Sequence, residues 1–159
     1  NNTALLGFDK VITCMTEHDA ILAARPDAKK IGVKKDGEID LNELEIQIQK
    51  EKSKGGKIIV SVMLVNNETG RIQPIEKLLK MCQYHGVAFH SDMVQALGKI
   101  PIKLDEWSRC GLTMASFSAH KIACSKRSSL GTILLIKPSS KHLSESILSP
   151  SIAIWYANL

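Results

Sequence analysis

The 159 residues include 44% hydrophobic and 23% charged side chains, an ordinary composition for one globular domain with a real core. The formal charge of +5 comes mainly from lysines spread along the chain, whereas nucleic-acid-binding surfaces favour arginine, so the composition argues against a nucleic-acid partner. No apolar run approaches the roughly 20 residues that a membrane-spanning helix needs, which argues against a membrane protein.

The four cysteines are widely spaced, with no C-x-x-C pair among them: Cys14, Cys82, Cys110 and Cys124. This spacing argues against a zinc site, and a disulfide framework is not expected at this length without a secretory signal. The cysteines are therefore predicted to be reduced and mostly buried thiols of a cytoplasmic protein.

The first half of the chain alternates strand and helix signals. "KVITC" (10–14) predicts a strand, and "AILAARPDAKK" predicts a helix that stops near Pro26. Asp40 followed three residues later by Glu43 has the pattern of a capping box, so a second helix is expected to begin there. The Gly-Gly pair at 55–56 ends it.

The second half continues this alternation. The run "IIVSVMLV" (58–65) is nearly all apolar, which is typical of a strand covered on both faces. Pro74 and Gly86 mark the start and stop of a further helix. The remaining predicted strands are 87–92, 112–118 and 132–137. The chain is therefore predicted to be α/β, with a three-layer αβα architecture and a mainly parallel sheet. The segment from 138 to 159 has no clear period.

Polar side chains follow four of these predicted strands. Taken singly, each is read as turn or cap chemistry, and Asp92 in particular could cap a following helix. Taken together, these side chains are expected to lie at one edge of the sheet. Ligands of open α/β sheets bind at that edge, beyond the carboxyl ends of the strands. The groups in question are Glu17 and His18, then Asn66, Asn67 and Glu68, then Asp92 and Gln95, and finally Ser118, His120 and Lys121.

This combination suits pyridoxal phosphate (PLP), an aldehyde cofactor. PLP needs a lysine for a Schiff base, a carboxylate for its ring nitrogen, a hydrogen-bond donor for its ring oxygen and a binding site for its phosphate. The candidates are Lys121 for the lysine, Asp92 for the carboxylate, Asn67 with Gln95 for the ring oxygen, Ser118 with His120 for the phosphate, and His18 for the ring face.

Successive motifs of the chain resemble those of cysteine desulfurases, which belong to the class V aminotransferase group of fold-type-I PLP enzymes. The motifs are "EHDAI", "VSVMLVNNETGRIQPI", "HGVAFHSDMVQALGKIPI" and "SFSAHKI". The resemblance covers residues 1–137, in the order that the family shows. It implies a partial large domain of a PLP-dependent transferase.

The resemblance also implies roles for individual residues. His18 matches the histidine that stacks on the cofactor ring, and Lys121 matches the lysine bound to the cofactor. Both are the expected catalytic residues. The other matches are Asn67 and Gln95 near the ring oxygen, Asp92 at the pyridine nitrogen, and Ser118 and His120 at the phosphate.

The activity implied by the resemblance is conversion of L-cysteine to L-alanine. The sulfur passes to an enzyme cysteine and feeds iron–sulfur cluster assembly. The implied partners are L-cysteine, a second copy in a homodimer and sulfur-acceptor scaffold proteins, with no nucleic acid, membrane or metal.

The chain departs from the family pattern around and after the lysine. Ala119 stands where the family has a glycine, and the loop "ACSKRSSLG" lacks the usual Gly and Pro. Residues 138–159 are a divergent tail, and the small domain that carries the nucleophilic cysteine has no match. Cys124 is rejected as that nucleophile. Whether this chain alone catalyses the reaction therefore stays open, and the alternative is a truncated or degenerate non-catalytic product that keeps the fold.

Overall fold

The computed structural model describes the backbone of residues 2–118, 131–136 and 152–157, and the side chains of residues 4–117. The helices are α1 (Asn2–Leu5), α2 (Asp19–Ala24), α3 (Leu41–Lys52), α4 (Ile75–His85) and α5 (Leu104–Arg109). The strands are β1 (Lys10–Cys14), β2 (Lys29–Ile31), β3 (Ile58–Ser61), β4 (Ala88–Asp92), β5 (Leu112–Ser118), β6 (Gly131–Ile136) and β7 (Ile152–Ala157).

The strands form a seven-stranded sheet in the order β2-β1-β3-β4-β5-β6-β7. The first five strands of this order are parallel to one another, and β6 and β7 are each antiparallel to the strand before them. The predicted α/β class with a mainly parallel sheet is therefore confirmed.

Strand β3 shows why the apolar run at 58–65 is needed. Ile58 and Val60 pack into a large core that includes buried residues of α3, α4 and α5. Ile59 points to the other face, into a smaller core shared with α1 and α2. Because both faces are covered by helices, every residue of the strand is buried, and the architecture is the predicted three layers.

Helix α3 begins at the predicted cap, but with half of the predicted capping box. The Asp40 side chain accepts hydrogen bonds from the backbone N–H groups of Asn42 and Glu43. The Glu43 carboxylate does not complete the box with Asp40. It accepts instead from the N–H of Gly32, 2.9 Å away, because β2 runs beside the helix start. The cap therefore also ties α3 to the sheet.

Several segments differ from their predicted extent. Strand β3 ends at Ser61, and the chain continues along β4 through hydrogen bonds from the N–H groups of Val62 and Leu64 to the carbonyls of His90 and Asp92. Residues 29–31, for which no strand was predicted, form β2. Part of the segment without a clear period, 152–157, forms β7. Within the described ranges, no helix is long and apolar enough to cross a membrane.

Three of the four cysteines lie in the described region, and all three are free thiols. Cys14 and Cys82 are buried and Cys110 is half-buried. Burial raises the pKa of Cys82 to about 12, so this thiol stays protonated at neutral pH. These three agree with the prediction of reduced, mostly buried cysteines, and Cys124 lies outside the described residues.

Gly86 ends α4 in a left-handed conformation, with φ at 65°. We expect Gly86→Ala to lower the free energy of unfolding by about 1 kcal/mol, since a Cβ there disfavours positive φ. An added Cβ would meet no atom within 4 Å, so the cost is one of backbone conformation and not of packing. Urea unfolding measures it. Gly86→Asn is the control, because asparagine tolerates this conformation, and an equal loss in both variants would contradict the explanation.

Candidate functional site

The carboxyl ends of β1, β3, β4 and β5 lie along one edge of the sheet. The parallel register places Thr13 opposite Ser61, Ser61 opposite His90, and Asp92 opposite Ser116. The polar segments that follow these strands therefore all begin at the same edge. This is the edge at which open α/β sheets bind ligands.

His90 is the central buried polar group near this edge, with no exposed surface. Its Nδ1 lies 2.9 Å from the hydroxyl of Ser61 on β3, and its Nε2 lies 2.8 Å from the hydroxyl of Ser116 on β5. Burial lowers the pKa of His90 to about 4, although the negative charge of Asp92 acts in the opposite direction. The imidazole is thus neutral at physiological pH and joins three adjacent strands.

Asp92 ends β4 two residues after His90 and is itself buried. Its Oδ1 accepts a hydrogen bond of 2.9 Å from the N–H of Val94, and its backbone carbonyl accepts from the N–H of Leu64. The N–H of the next residue, Met93, donates to the carbonyl of Ser116. The segment that follows β3 and strand β5 therefore hold the backbone at this carboxyl group from both sides.

Glu17 lies in the turn after β1 and is 5% exposed. Its Oε1 accepts a hydrogen bond of 2.5 Å from the N–H of Met63, which follows β3. Its Oε2 is buried and has no hydrogen-bond partner among the described residues. Burial raises the pKa of Glu17 to about 8, and the charge of Asp92 adds to the increase. The site thus holds two buried acids, and burial favours the uncharged form of Glu17.

His18 follows Glu17 directly and begins α2. Its Nδ1 accepts a hydrogen bond of 3.1 Å from the N–H of Ala20, and the side chain is exposed. Because Nδ1 accepts, the proton of the neutral ring is on Nε2. A second contact fixes this turn, from the Asn66 side-chain amide to the Thr16 carbonyl at 2.9 Å. The predicted ring-stacking histidine is therefore held at the edge of the sheet.

The predicted ring-oxygen partners, Asn67 and Gln95, are more exposed. Asn67 is on the surface of the turn after β3, and the neighbouring Asn66 organises that turn by accepting from the N–H groups of Glu68 and Thr69. Gln95 is half-buried, and its side-chain oxygen accepts from Lys99. The hydrogen bonds that organise the turn use the Asn66 side chain and not that of Asn67. Asn66 is therefore the asparagine that stabilises the turn.

Three predicted residues come at or after the end of β5. Ser118 is the last residue of β5, where the backbone pairs with Gly131 of β6, and its side chain is not described. His120 and Lys121 lie outside the described residues. Strand β5 nonetheless runs to the same edge as Asp92 and ends two residues before His120.

Two site residues were not assigned a role from the sequence. His90 lies within the predicted strand 87–92 with no role assigned to it, and its partners Ser61 and Ser116 come from other strands. Glu17 was noted only as a polar group after a strand. The pattern H-x-D gives a usable signal for His90, because residues two apart in a strand share a face, which places the ring beside Asp92.

Comparison with known proteins identifies relatives of the chain. The family model described as aminotransferase class V matches residues 2–127. A mitochondrial cysteine desulfurase from Eremothecium gossypii is 42% identical across 77% of this chain and 26% of its own length. The cysteine desulfurase IscS from Rickettsia bellii is 39% identical across 77% of this chain and 32% of its own length.

Solved structures of related proteins are similar to this chain in fold. A NifS-like protein from Rickettsia africae superposes with a TM-score of 0.70 at 26% identity, covering 86% of this chain and 38% of its own. The structure titled "SspA in complex with cysteine" has a TM-score of 0.64 at 25% identity, covering 82% of this chain and 37% of its own. The chain spans about a quarter to a third of the length of the curated relatives named above. Because the family model matches most of it, the chain belongs to the class V aminotransferases, a family of PLP-dependent enzymes.

Proposed function

We propose that this chain forms the cofactor-binding part of a cysteine desulfurase-like PLP enzyme. The observation that carries the proposal is the buried carboxyl group of Asp92 at the carboxyl edge of the sheet, fixed by backbone contacts from both sides. The curated relatives named cysteine desulfurase support the choice of reaction class.

The chemistry of the described residues fits PLP. A protonated pyridine nitrogen needs one buried anion, and Asp92 supplies it. A ring stacked above the cofactor needs a fixed imidazole, and the His18 turn is held by Glu17 and Asn66. A phosphate needs polar donors at the end of the next strand, where Ser118 ends β5. The proposed cofactor ligands are His18, Asn67, Asp92, Gln95, Ser118, His120 and Lys121.

When bound, PLP supplies an electron sink that weakens bonds at the α-carbon of an amino acid substrate. The residues of the chain have separate tasks in this proposal. Asp92 would favour a proton on the ring nitrogen through its negative charge. The neutral His90 holds β3, β4 and β5 together behind Asp92 without competing for that proton. Lys121 would hold the cofactor through its side-chain amine.

We further propose L-cysteine as the substrate, with its sulfur passing to an enzyme cysteine and then to acceptor proteins of iron–sulfur cluster assembly. The solved relative that is bound to cysteine supports this substrate. The proposal takes residues 1–137 as part of the large domain and includes a homodimer. The comparisons do not favour a degenerate, non-catalytic product, since the curated relatives named above are enzymes.

The direct test of the proposal is covalent labelling of the 159-residue chain with PLP, followed by borohydride reduction and peptide mapping. We expect one stoichiometric label on Lys121 and its loss in Lys121→Ala, because a lysine amine is the nucleophile that captures an aldehyde. Lys80→Ala, which removes an exposed lysine of α4, is the matched control and should label as the parent does. Equal labelling of Lys121→Ala and the parent would overturn the assignment.

A further inference from the structure

Glu17 is a buried acid to which the proposed function gives no cofactor contact. It spans the gap between the turn after β1 and the segment after β3, where its Oε1 accepts from the N–H of Met63. Because Oε1 has the role of a carbonyl acceptor, a proton on this carboxyl group belongs on Oε2. Oε2 is the buried oxygen that finds no partner among the described residues.

The surroundings of Glu17 favour the uncharged acid. In the part of the chain that the structure describes, the titratable groups near Glu17 are Cys14 on β1 and Asp92 on β4, with His90 next to Asp92 on the same strand. Among the described residues, none of these three groups is a cation at neutral pH. A carboxylate buried without a cation is unfavourable, and the charge of Asp92 makes it more so.

We propose that Glu17 is a positioning residue of the cofactor site that works as an uncharged acid. It fixes the His18 turn to the end of β3 and leaves Asp92 as the one negative charge of the buried pair. The inference rests on the proposed function in one respect, since it takes Asp92 as the partner of the cofactor's ring nitrogen.

The charge of the pair has a consequence for the ligand. One buried negative charge matches one protonated ring nitrogen, whereas two would leave a surplus charge inside the protein. The uncharged form also keeps the Met63 hydrogen bond while presenting an O–H group at Oε2. A glutamine at this position reproduces both features, with a carbonyl oxygen and an N–H donor, so Glu17→Gln is the informative variant.

The first test is the pH dependence of unfolding without PLP. Between the ordinary pKa of 4.5 and the folded value of about 8, the folded chain holds a proton that the unfolded chain has lost. The contribution of Glu17 to stability is therefore complete below 4.5 and is lost as the pH rises towards 8. Relative to Glu17→Gln, we expect the unfolding constant of the parent to increase about tenfold per pH unit across this window.

Glu68→Gln is the matched control, because Glu68 is an exposed acid in the turn after β3 and should leave the parent's slope unchanged. Parallel curves for the parent and Glu17→Gln, or a difference of opposite sign, would overturn the proposal. If Glu17→Gln fails to fold, infrared spectroscopy of the parent decides the question. A protonated carboxyl band that disappears near the upper end of the window supports the proposal, and its absence at neutral pH contradicts it.

The second test separates positioning from charge. We expect Glu17→Gln to bind PLP within about threefold of the parent and Glu17→Ala to bind about tenfold more weakly, since alanine loses the bond to Met63. Equal loss in both variants would show that a charged Glu17 is needed and would contradict the proposal. If the parent itself does not bind PLP, the proposed function fails, while the pH experiment still judges the charge of Glu17.

Discussion

His90→Ala should lower the free energy of unfolding by about 3–5 kcal/mol, the range found for truncating large buried side chains. The imidazole has no exposed surface, so its removal leaves a cavity. It also leaves the hydroxyls of Ser61 and Ser116 without their hydrogen-bond partner. Buried polar groups that lose their partners add to the cost, which is a large fraction of the stability of a typical domain.

Urea unfolding measures this loss in His90→Ala and compares it with the loss in His85→Ala. His85 is also largely buried, but it contacts Glu45 at the protein surface, so we expect its truncation to cost about 1 kcal/mol. Should His90→Ala unfold the chain altogether, His90→Gln keeps a donor and an acceptor and should recover part of the stability. Equal costs for the two alanine variants would contradict a central role for His90.

Asp92→Asn should weaken PLP binding about 10- to 100-fold, the effect of losing a charge-assisted hydrogen bond. Asparagine keeps an oxygen that accepts from the N–H of Val94, so we expect the fold to survive. The variant also removes the negative charge that raises the pKa of Glu17, and that pKa should fall. Absorbance titration with PLP and the pH dependence of unfolding report these two effects separately.

Asp105→Asn is the control for Asp92→Asn, because it removes an exposed acid in the first turn of α5. It should bind PLP as the parent does. Unchanged affinity in Asp92→Asn would contradict its place at the ring nitrogen. Weaker binding with an unchanged Glu17 titration would instead show that the two acids act independently.

The sequence predicts the long elements of the fold well, because their signals are local. The strand at 10–14 and the helix between Pro74 and Gly86 appear in the structure within a residue of their predicted limits. Strand β2 was missed because it has three residues, two of them exposed lysines, and its pairing with β1 is what defines it. Helix α5 was missed because it is short and lacks a side-chain cap.

The site was predictable to the extent that it depends on strand ends. Asp92 and His18 could be placed at one edge because parallel strands present their carboxyl ends together. The neutral state of His90 could not be predicted, since its partners Ser61 and Ser116 are 29 and 26 residues away along the chain. The raised pKa of Glu17 depends on burial, which the residue type does not reveal.

The chain moves outward from β1 to β2 and then returns past β1 to begin β3, so the direction of winding reverses between β1 and β3. At such a topological switch point the connections leave in opposite directions and a crevice opens between them. In this protein the hydrogen bonds from Met63 to Glu17 and from Asn66 to Thr16 bridge that crevice. The floor of the proposed cofactor site is thus built by side chains at the point where the winding of the sheet would otherwise leave it open.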